Sequence, residues 1–394
     1  MLTDYRPEAR PTAVALRSSQ IREVANAGMG KPGLLPFWFG EPDEATPPYI
    51  RQAAVQAIQE GDTFYVQTLG MPVLRESLSA YLTALHGAIG QDRIAISSSG
   101  TSALAVAMQA LVGPGDRVVA VTPLWPNLVE MPKVLGAQVH TVALDFTARG
   151  WALDLQKLLD ALTPDTRALL VNAPNNPTGW CMTASEQKAL LEHCRARGIW
   201  IVSDDVYERL YYQDNCAPSF LDLTDEQDRH VSCNSFSKAW LMTGWRLGWV
   251  VAPPALLPEI GKLIEFSTTC APPFVQRAGV AALAQGETTI AHTVARLRRG
   301  RDHLRASLAS VPGVEQAAAA PGAMYNFFRI EGVRDSLDFC KRLVAETGLG
   351  LAPGIAFGPE GEGYLRWCYA SSPERIDDAI VRLAGFLANA RLPH

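Results

Sequence analysis

The chain has 394 residues, 48% of them hydrophobic, with 31 glycines and 27 prolines, enough apolar sequence to fill large cores in more than one domain. A net charge of −5 supplies no basic field of the kind that holds nucleic acid or an anionic membrane surface. No unbroken apolar run reaches the roughly 18 residues of a membrane span.

The seven cysteines run from Cys181 to Cys368 without a C-x-x-C pair and read as reduced thiols. With no apolar leader run near the start, the cytoplasm is the expected location. The seven histidines are dispersed and H-E-x-x-H is absent, so no metal is expected.

Residues 1–48 hold a short helical pattern and a proline-rich loop. Within them Gly28-Met29-Gly30-Lys31-Pro32-Gly33 fits G-x-G-x-x-G, but no strand precedes it and no helix opens after it. A loop is expected there, not a dinucleotide fingerprint. From about 95 to 253, strand candidates at 117–121, 138–144, 168–172, 199–203 and 231–234 alternate with helical stretches, the signature of a mostly parallel sheet covered on both faces. The helix at 184–197 is the best bounded: Thr183 and Glu186 form a capping box, and Gly198 stops it.

After about 285 comes a helix with five arginines between Arg296 and Arg305, expected to be a solvated face. A segment at 324–330, a helix at 336–346 and a strand at 364–369 follow. Ser372 and Pro373 start a last helix with Ile376, Ala379, Ile380, Leu383, Phe386 and Leu387 at helical spacing. The fold class is α/β: a large domain over 49–284 and a smaller α+β domain built from 1–48 and 285–394.

Chemistry concentrates in a few motifs. Ser99-Gly100-Thr101-Ser102 stands where a strand gives way to a helix, so it is either ordinary capping or an anion site. Asn172 to Gly179 is a rigid turn that offers an amide, Asn176, at the edge of the sheet. Asp204 follows an apolar strand, at the carboxyl end where open α/β sheets bind ligands, although it also suits a helix N-cap. Lys238 in Ser235-Phe236-Ser237-Lys238 has Arg246 eight residues on, bringing an amine, hydroxyls and a guanidinium together. Arg366, among large apolar residues, is either an ion-paired structural residue or a clamp for a carboxylate.

In this order and spacing the motifs resemble the fold type I pyridoxal phosphate enzymes, specifically the class I/II aminotransferases, from about Gly40 to the last helix. The resemblance implies a mostly parallel seven-stranded sheet sandwiched by helices, with Lys238 carrying pyridoxal 5'-phosphate as a Schiff base. Ser99, Gly100, Thr101, Ser235, Ser237 and Arg246 would hold the phosphate, and Trp125 would stack on the ring. Asp204 would face the ring nitrogen, while Asn176 and Tyr207 would face the ring oxygen. Gly40, Trp125, Asn176 and Arg366 would line the substrate site, Arg366 binding the α-carboxylate. Tyr65 would serve the phosphate of a neighbouring subunit, which makes a homodimer the expected assembly.

The implied activity is ping-pong transfer of an amino group between an L-amino acid and a 2-oxo acid, with Lys238, Asp204 and Tyr207 as catalytic residues. In the bacterial members that accept dicarboxylates through a lysine just after the phosphate-loop glycine that position is basic, but here it is Thr101, which removes that signal for dicarboxylates. Trp38 and Phe39 just before Gly40 favour bulky or apolar side chains if they face the pocket and not the core, and an arginine from a partner subunit remains an alternative source of a distal carboxylate site. Lyase or oxidase chemistry on the same scaffold is the near alternative. Ser235-x-x-Lys238 also fits S-x-x-K of serine acyl-enzymes, but no S-x-N or K-T-G element follows.

Overall fold

The computed structural model describes residues 9–389; residues 1–8 and 390–394, at the outer ends of the expected smaller domain, lie outside the described residues. The large sheet is built from β1 (Ile94–Ser97), β2 (Arg117–Thr122), β3 (Gln138–Ala143), β4 (Thr166–Asn172), β5 (Trp200–Asp204), β6 (His230–Ser235) and β7 (Gly248–Val251), in the order β1-β7-β6-β5-β4-β2-β3. Pairs from β6 through β3 are parallel, and β7 runs antiparallel to both neighbours.

Strand periodicity sends alternate side chains to opposite faces, and here both faces are covered. Val118 and Ala120 join a core with Leu104, Ala107 and Leu111 of the helix Gly100–Leu111 and Ile260 and Ile264 of Leu257–Thr268. Val119 and Val121 join the opposite core with Leu158, Leu190 and Leu191 from the helices Leu155–Ala161 and Ala184–Arg197. Each fully buried Leu, Ile or Val contributes about 1.5–3 kcal/mol relative to exposure. The capping box is present: Thr183 Oγ1 accepts from the Glu186 N–H at 3.2 Å, Glu186 Oε2 accepts from the Thr183 N–H at 2.7 Å, and Gly198 is left-handed at φ 65°.

The strand expected just before Ser99 is β1, whose bounds the sequence does not set, and β7 was not among the sequence candidates. Each is a run of four buried residues without polar alternation, a pattern that does not separate a strand from a buried helical turn. Their orientation matters for the site. An antiparallel strand begins where its neighbours end, so β7 brings Arg246 to the edge where β1, β4, β5 and β6 deliver Ser99, Asn176, Asp204 and Lys238.

A second sheet, all antiparallel, consists of β8 (Val314–Gln316), β9 (Tyr325–Ile330), β10 (Ala352–Pro353) and β11 (Tyr364–Cys368) in the order β8-β9-β11-β10. Its core draws on both chain ends: Ile21, Val24 and Trp38 pack with Leu343, Val344, Leu365, Trp367, Ile376 and Leu383. Leu35 and Pro36 pair in parallel with Leu349 and Gly350. Gly28 ends the helix Gln20–Gly28, and a Cβ there would come within 2.6 Å of Val344 and 2.8 Å of Trp38, so this glycine serves close packing.

Candidate active site

A cavity of about 250 Å³ opens at the shared strand edge, and Gly40, Gly100, Thr101, Trp125, Asn176, Asp204, Tyr207, Ser235, Ser237, Lys238, Arg246 and Arg366 all line it. Ser99 is adjacent but turned away: its Oγ accepts from the Ser102 N–H at 2.9 Å and caps the helix Gly100–Leu111. Tyr65 lies outside the cavity and is 87% exposed.

Lys238 is aimed by its neighbours. Phe236 and Trp240 are buried with ring centroids 5.0 Å apart, which anchors the turn and leaves the lysine facing the cavity. Its Nζ donates to the Gly40 carbonyl oxygen and lies 5.8 Å from the centre of the Tyr207 ring. Burial chiefly, with help from the positive charges of Arg366 and Arg246, pulls this amine down from 10.5 to about 8. Gly40 must lack a side chain, because a Cβ would sit 1.8 Å from the Tyr325 hydroxyl.

Asp204 is the last residue of β5, and turns rather than a helix follow it, so it caps nothing. Among the described residues its carboxylate accepts one hydrogen bond, a 3.4 Å contact from the Val206 N–H. Burial, and then the charge of Asp205, pushes it up to about 7. Asp205 is different: Ser203 Oγ at 2.7 Å and Ser232 Oγ at 2.5 Å both donate to its Oδ2. Two adjacent carboxylates therefore divide into one committed to the protein and one available to a ligand.

The 172–179 turn is pinned from within. Asn172 Oδ1 accepts from the Asn176 N–H at 2.7 Å, and Asn172 Nδ2 donates to the Asp204 carbonyl at 3.0 Å. Asn176 Oδ1 then accepts from Arg366 Nη1 at 2.9 Å, while Arg366 Nη2 donates to the Trp38 carbonyl. The guanidinium lies 4.5 Å from the Tyr325 ring centre and 5.0 Å from that of Phe357, is 2% exposed, and its Nε has no partner. No acid pairs with it among the described residues. A buried cation held by carbonyls and aromatic faces retains unused capacity for a carboxylate.

At the other end the helix dipole and the first N–H groups of Gly100–Leu111, Ser235, Ser237 and the half-exposed Arg246 converge, a donor set suited to a phosphate. Arg246 is left-handed at φ 55°, and its Nη1 donates to the Thr243 carbonyl at 2.7 Å.

Sequence reasoning missed Tyr325, Ile21, Leu104, Val206 and Thr243, which complete the lining. Tyr325 matters most, since its hydroxyl is 2.5 Å from that of Tyr207. A tyrosine at the start of a strand carries no mark of this. Trp38 fulfils both sequence readings, lining the cavity while remaining 3% exposed in the core of the second sheet.

Comparison with known proteins gives one answer. The family described as aminotransferase class I and II matches residues 33–383. The chain is 32% identical to an aspartate aminotransferase of Musicola paradisiaca over 88% of its length and 87% of the relative's, and 31% identical to one of Pyrococcus horikoshii over 93% and 94%. Among solved structures, a single mutant of the Thermus thermophilus aspartate aminotransferase superposes with a TM-score of 0.89 at 29% identity, covering 97% of this chain and 100% of that one. An aromatic aminotransferase from Pyrococcus horikoshii gives 0.86 at 28%, covering 94% and 100%. With its sheet order, its lysine at the strand edge and a match over nearly its whole length, this chain belongs to the class I and II aminotransferase family.

Proposed function

We propose that the cavity holds pyridoxal 5'-phosphate and that the enzyme moves an amino group, in two half-reactions, between an apolar or aromatic L-amino acid and a 2-oxo acid. The residues fit this cofactor on chemical grounds: an amine pulled toward neutrality, a buried carboxylate with one weak partner, and an anion-binding helix start lie around one space. When bound, the cofactor supplies an aldehyde that condenses with amines and a protonated ring that accepts the electron pair left when a Cα–H bond breaks.

The protein's part follows from its side chains. Gly100, Thr101, Ser235, Ser237 and Arg246 hold the phosphate, with Ser99 acting through the helix it caps. Trp125 covers one ring face. Asp204, as an anion, keeps a proton on the ring nitrogen, and Tyr207 and Asn176 face the ring oxygen. Lys238 carries the cofactor between turnovers and, once released, takes the proton from the substrate Cα and delivers it to the product side. Arg366 orients the α-carboxylate so that the Cα proton faces Lys238.

The single observation that carries the substrate class is the lining. Among the described residues its only cations are Lys238, Arg246 and Arg366, each with a role above, while Ile21, Trp38, Phe39 and Leu104 supply apolar surface and Thr101 a neutral group. Incubation with a panel of amino acids and 2-oxoglutarate or pyruvate, anaerobically and in air, tests both activity and preference. Aromatic or branched donors are expected to exceed aspartate at least tenfold in kcat/KM; aspartate as the best donor refutes the preference. Ammonia or peroxide in place of new amino acid refutes transamination itself.

For Arg366→Leu the loss of charge-assisted hydrogen bonds of about 1.5–3 kcal/mol should raise the KM for amino acid by roughly 10- to 100-fold. A KM within twofold of wild type refutes the clamp.

The same reading makes the enzyme a cytoplasmic homodimer with divisions near residues 48 and 284. The cysteines are all free thiols. Tyr65 and Phe64, 87% and 80% exposed, are surface aromatics of the kind a partner covers. Specific activity should therefore fall on dilution as the dimer dissociates, and a fully active monomer in sedimentation at assay concentration refutes the shared site.

A further inference from the structure

Behind the large sheet, away from the cavity just described, lies a second cluster of reactive side chains. His86 ends the helix Pro72–His86, Glu208 follows β5, and Cys216 sits on a loop pinned to the same turn by the Ala217 N–H donating to the Glu208 carbonyl at 2.9 Å. The potential ligand atoms of the three all lie within 4.8 Å of one another. His86 Nε2 and Glu208 Oε2 face each other at 3.5 Å, on side chains only 1% and 4% exposed, and neither atom has a hydrogen-bond partner.

We propose that His86, Glu208 and Cys216 form a binding site for one divalent metal ion of borderline-soft character, with zinc the best match to the donors. A tetrahedral ion with bonds of about 2.0–2.1 Å to nitrogen and oxygen sets those two ligands about 3.4 Å apart, close to the spacing found. Thiolate, imidazole and carboxylate together favour zinc over calcium or magnesium.

The surroundings are those that a metal-bound histidine requires. His86 Nδ1 lies 2.8 Å from Asp222 Oδ1, which fixes the proton on Nδ1 and leaves Nε2 free to coordinate. Glu208 Oε1 accepts from Asn234 Nδ2 at 2.7 Å, leaving Oε2 for the ion. On binding, His86 gives up its Nε2 proton and Cys216 its thiol proton to solvent, the freed nitrogen and sulfur pairs form the bonds, and thiolate and carboxylate neutralise the two positive charges. Water fills the fourth position. A groove bordered by Leu85 and Asn215, the chain neighbours of His86 and Cys216, lies close by. His86 lies in a chain segment far from Glu208 and Cys216, so no spacing motif announces the site.

A two-residue relay joins the site to the cofactor cavity. Asn234, which holds Glu208, accepts from the Ser235 N–H at 2.7 Å through its Oδ1, and Ser235 lines that cavity.

Holoenzyme stripped with a chelator and dialysed against Zn²⁺ is expected to take up one ion per chain and to unfold at a higher temperature. Co²⁺ should give a thiolate-to-cobalt charge-transfer band in the difference spectrum, lost in Cys216→Ser and kept in Cys270→Ser. Cys216 is half-buried on a loop, so its serine variant retains the packing. Asp222→Asn should weaken Zn²⁺ affinity by about 10- to 100-fold. Failure to bind either ion, or a band that survives in Cys216→Ser, overturns the site and leaves His86 as a cation bridging Asp222 and Glu208.

Discussion

Lys238→Ala is expected to lower turnover about 10⁴-fold, the upper range for loss of a positioned acid–base group, and to abolish attachment of the cofactor to the chain. Borohydride reduction of the wild type should fix the cofactor on the peptide containing Lys238, and in the variant on none. A tag on another lysine, or an unchanged rate, refutes the assignment. The environment adds a pH test. Only the neutral amine attacks an aldehyde, and the amine is cationic below its pKa. With that value near 8, roughly a tenth of the chains carry a neutral Lys238 at pH 7, against about one in 3,000 for an unperturbed lysine. Binding of cofactor to the stripped protein should thus accelerate about tenfold per pH unit up to pH 8 and level off above it. A rate still climbing at pH 10 would mean that the lysine is hydrated.

The second large effect is expected at Asp204. Asparagine keeps its shape but carries no charge, so Asp204→Asn should retain cofactor while slowing Cα proton transfer about 10²- to 10³-fold, equivalent to about 2.7–4 kcal/mol in the barrier. Burial drives this carboxyl up to about 7 when it faces no partner, and a ring N–H beside it restores the anion by giving the charge a counterpart. Single-turnover measurements with α-deuterated amino acid provide the readout: the isotope effect should grow as proton transfer becomes limiting. Normal single-turnover kinetics would show that the ring charge is set elsewhere. Asp205→Ala offers the contrast, since it removes the one oxygen that accepts from both Ser203 and Ser232 and should cost stability first.

Local signals were readable where one residue type does one thing at one place. Thr183, Glu186 and Gly198 bound a helix because capping chemistry is local, and Asp204 stood out because a charge at the end of a mostly apolar strand needs a reason. The order from Ser99 to Arg366 marked the family because its motifs recur in fixed sequence. Contacts between distant segments were not legible. Nothing near Tyr325 foretells its hydroxyl meeting that of Tyr207, and nothing in the Asp204-Asp205 pair says which carboxyl faces a ligand. Four buried residues at 248–251 could not reveal an antiparallel strand, because direction is fixed by partners and not by pattern.

The interleaving of the two chain ends sets an order of events during synthesis. By the time Val251 has left the ribosome, every strand of the large sheet exists, along with Lys238 and Arg246. Residues 37–43 are already made, and Gly40 can meet Lys238, but the other backbone anchors of this segment do not yet exist. Their anchors come last: Gly350 and Cys368 for Phe37, Arg366 for Trp38, and Ala370 and Ser372 for Asp43. The half that grips phosphate can thus assemble on the growing chain, whereas the half that selects the amino acid must wait until residues 350–372 have followed.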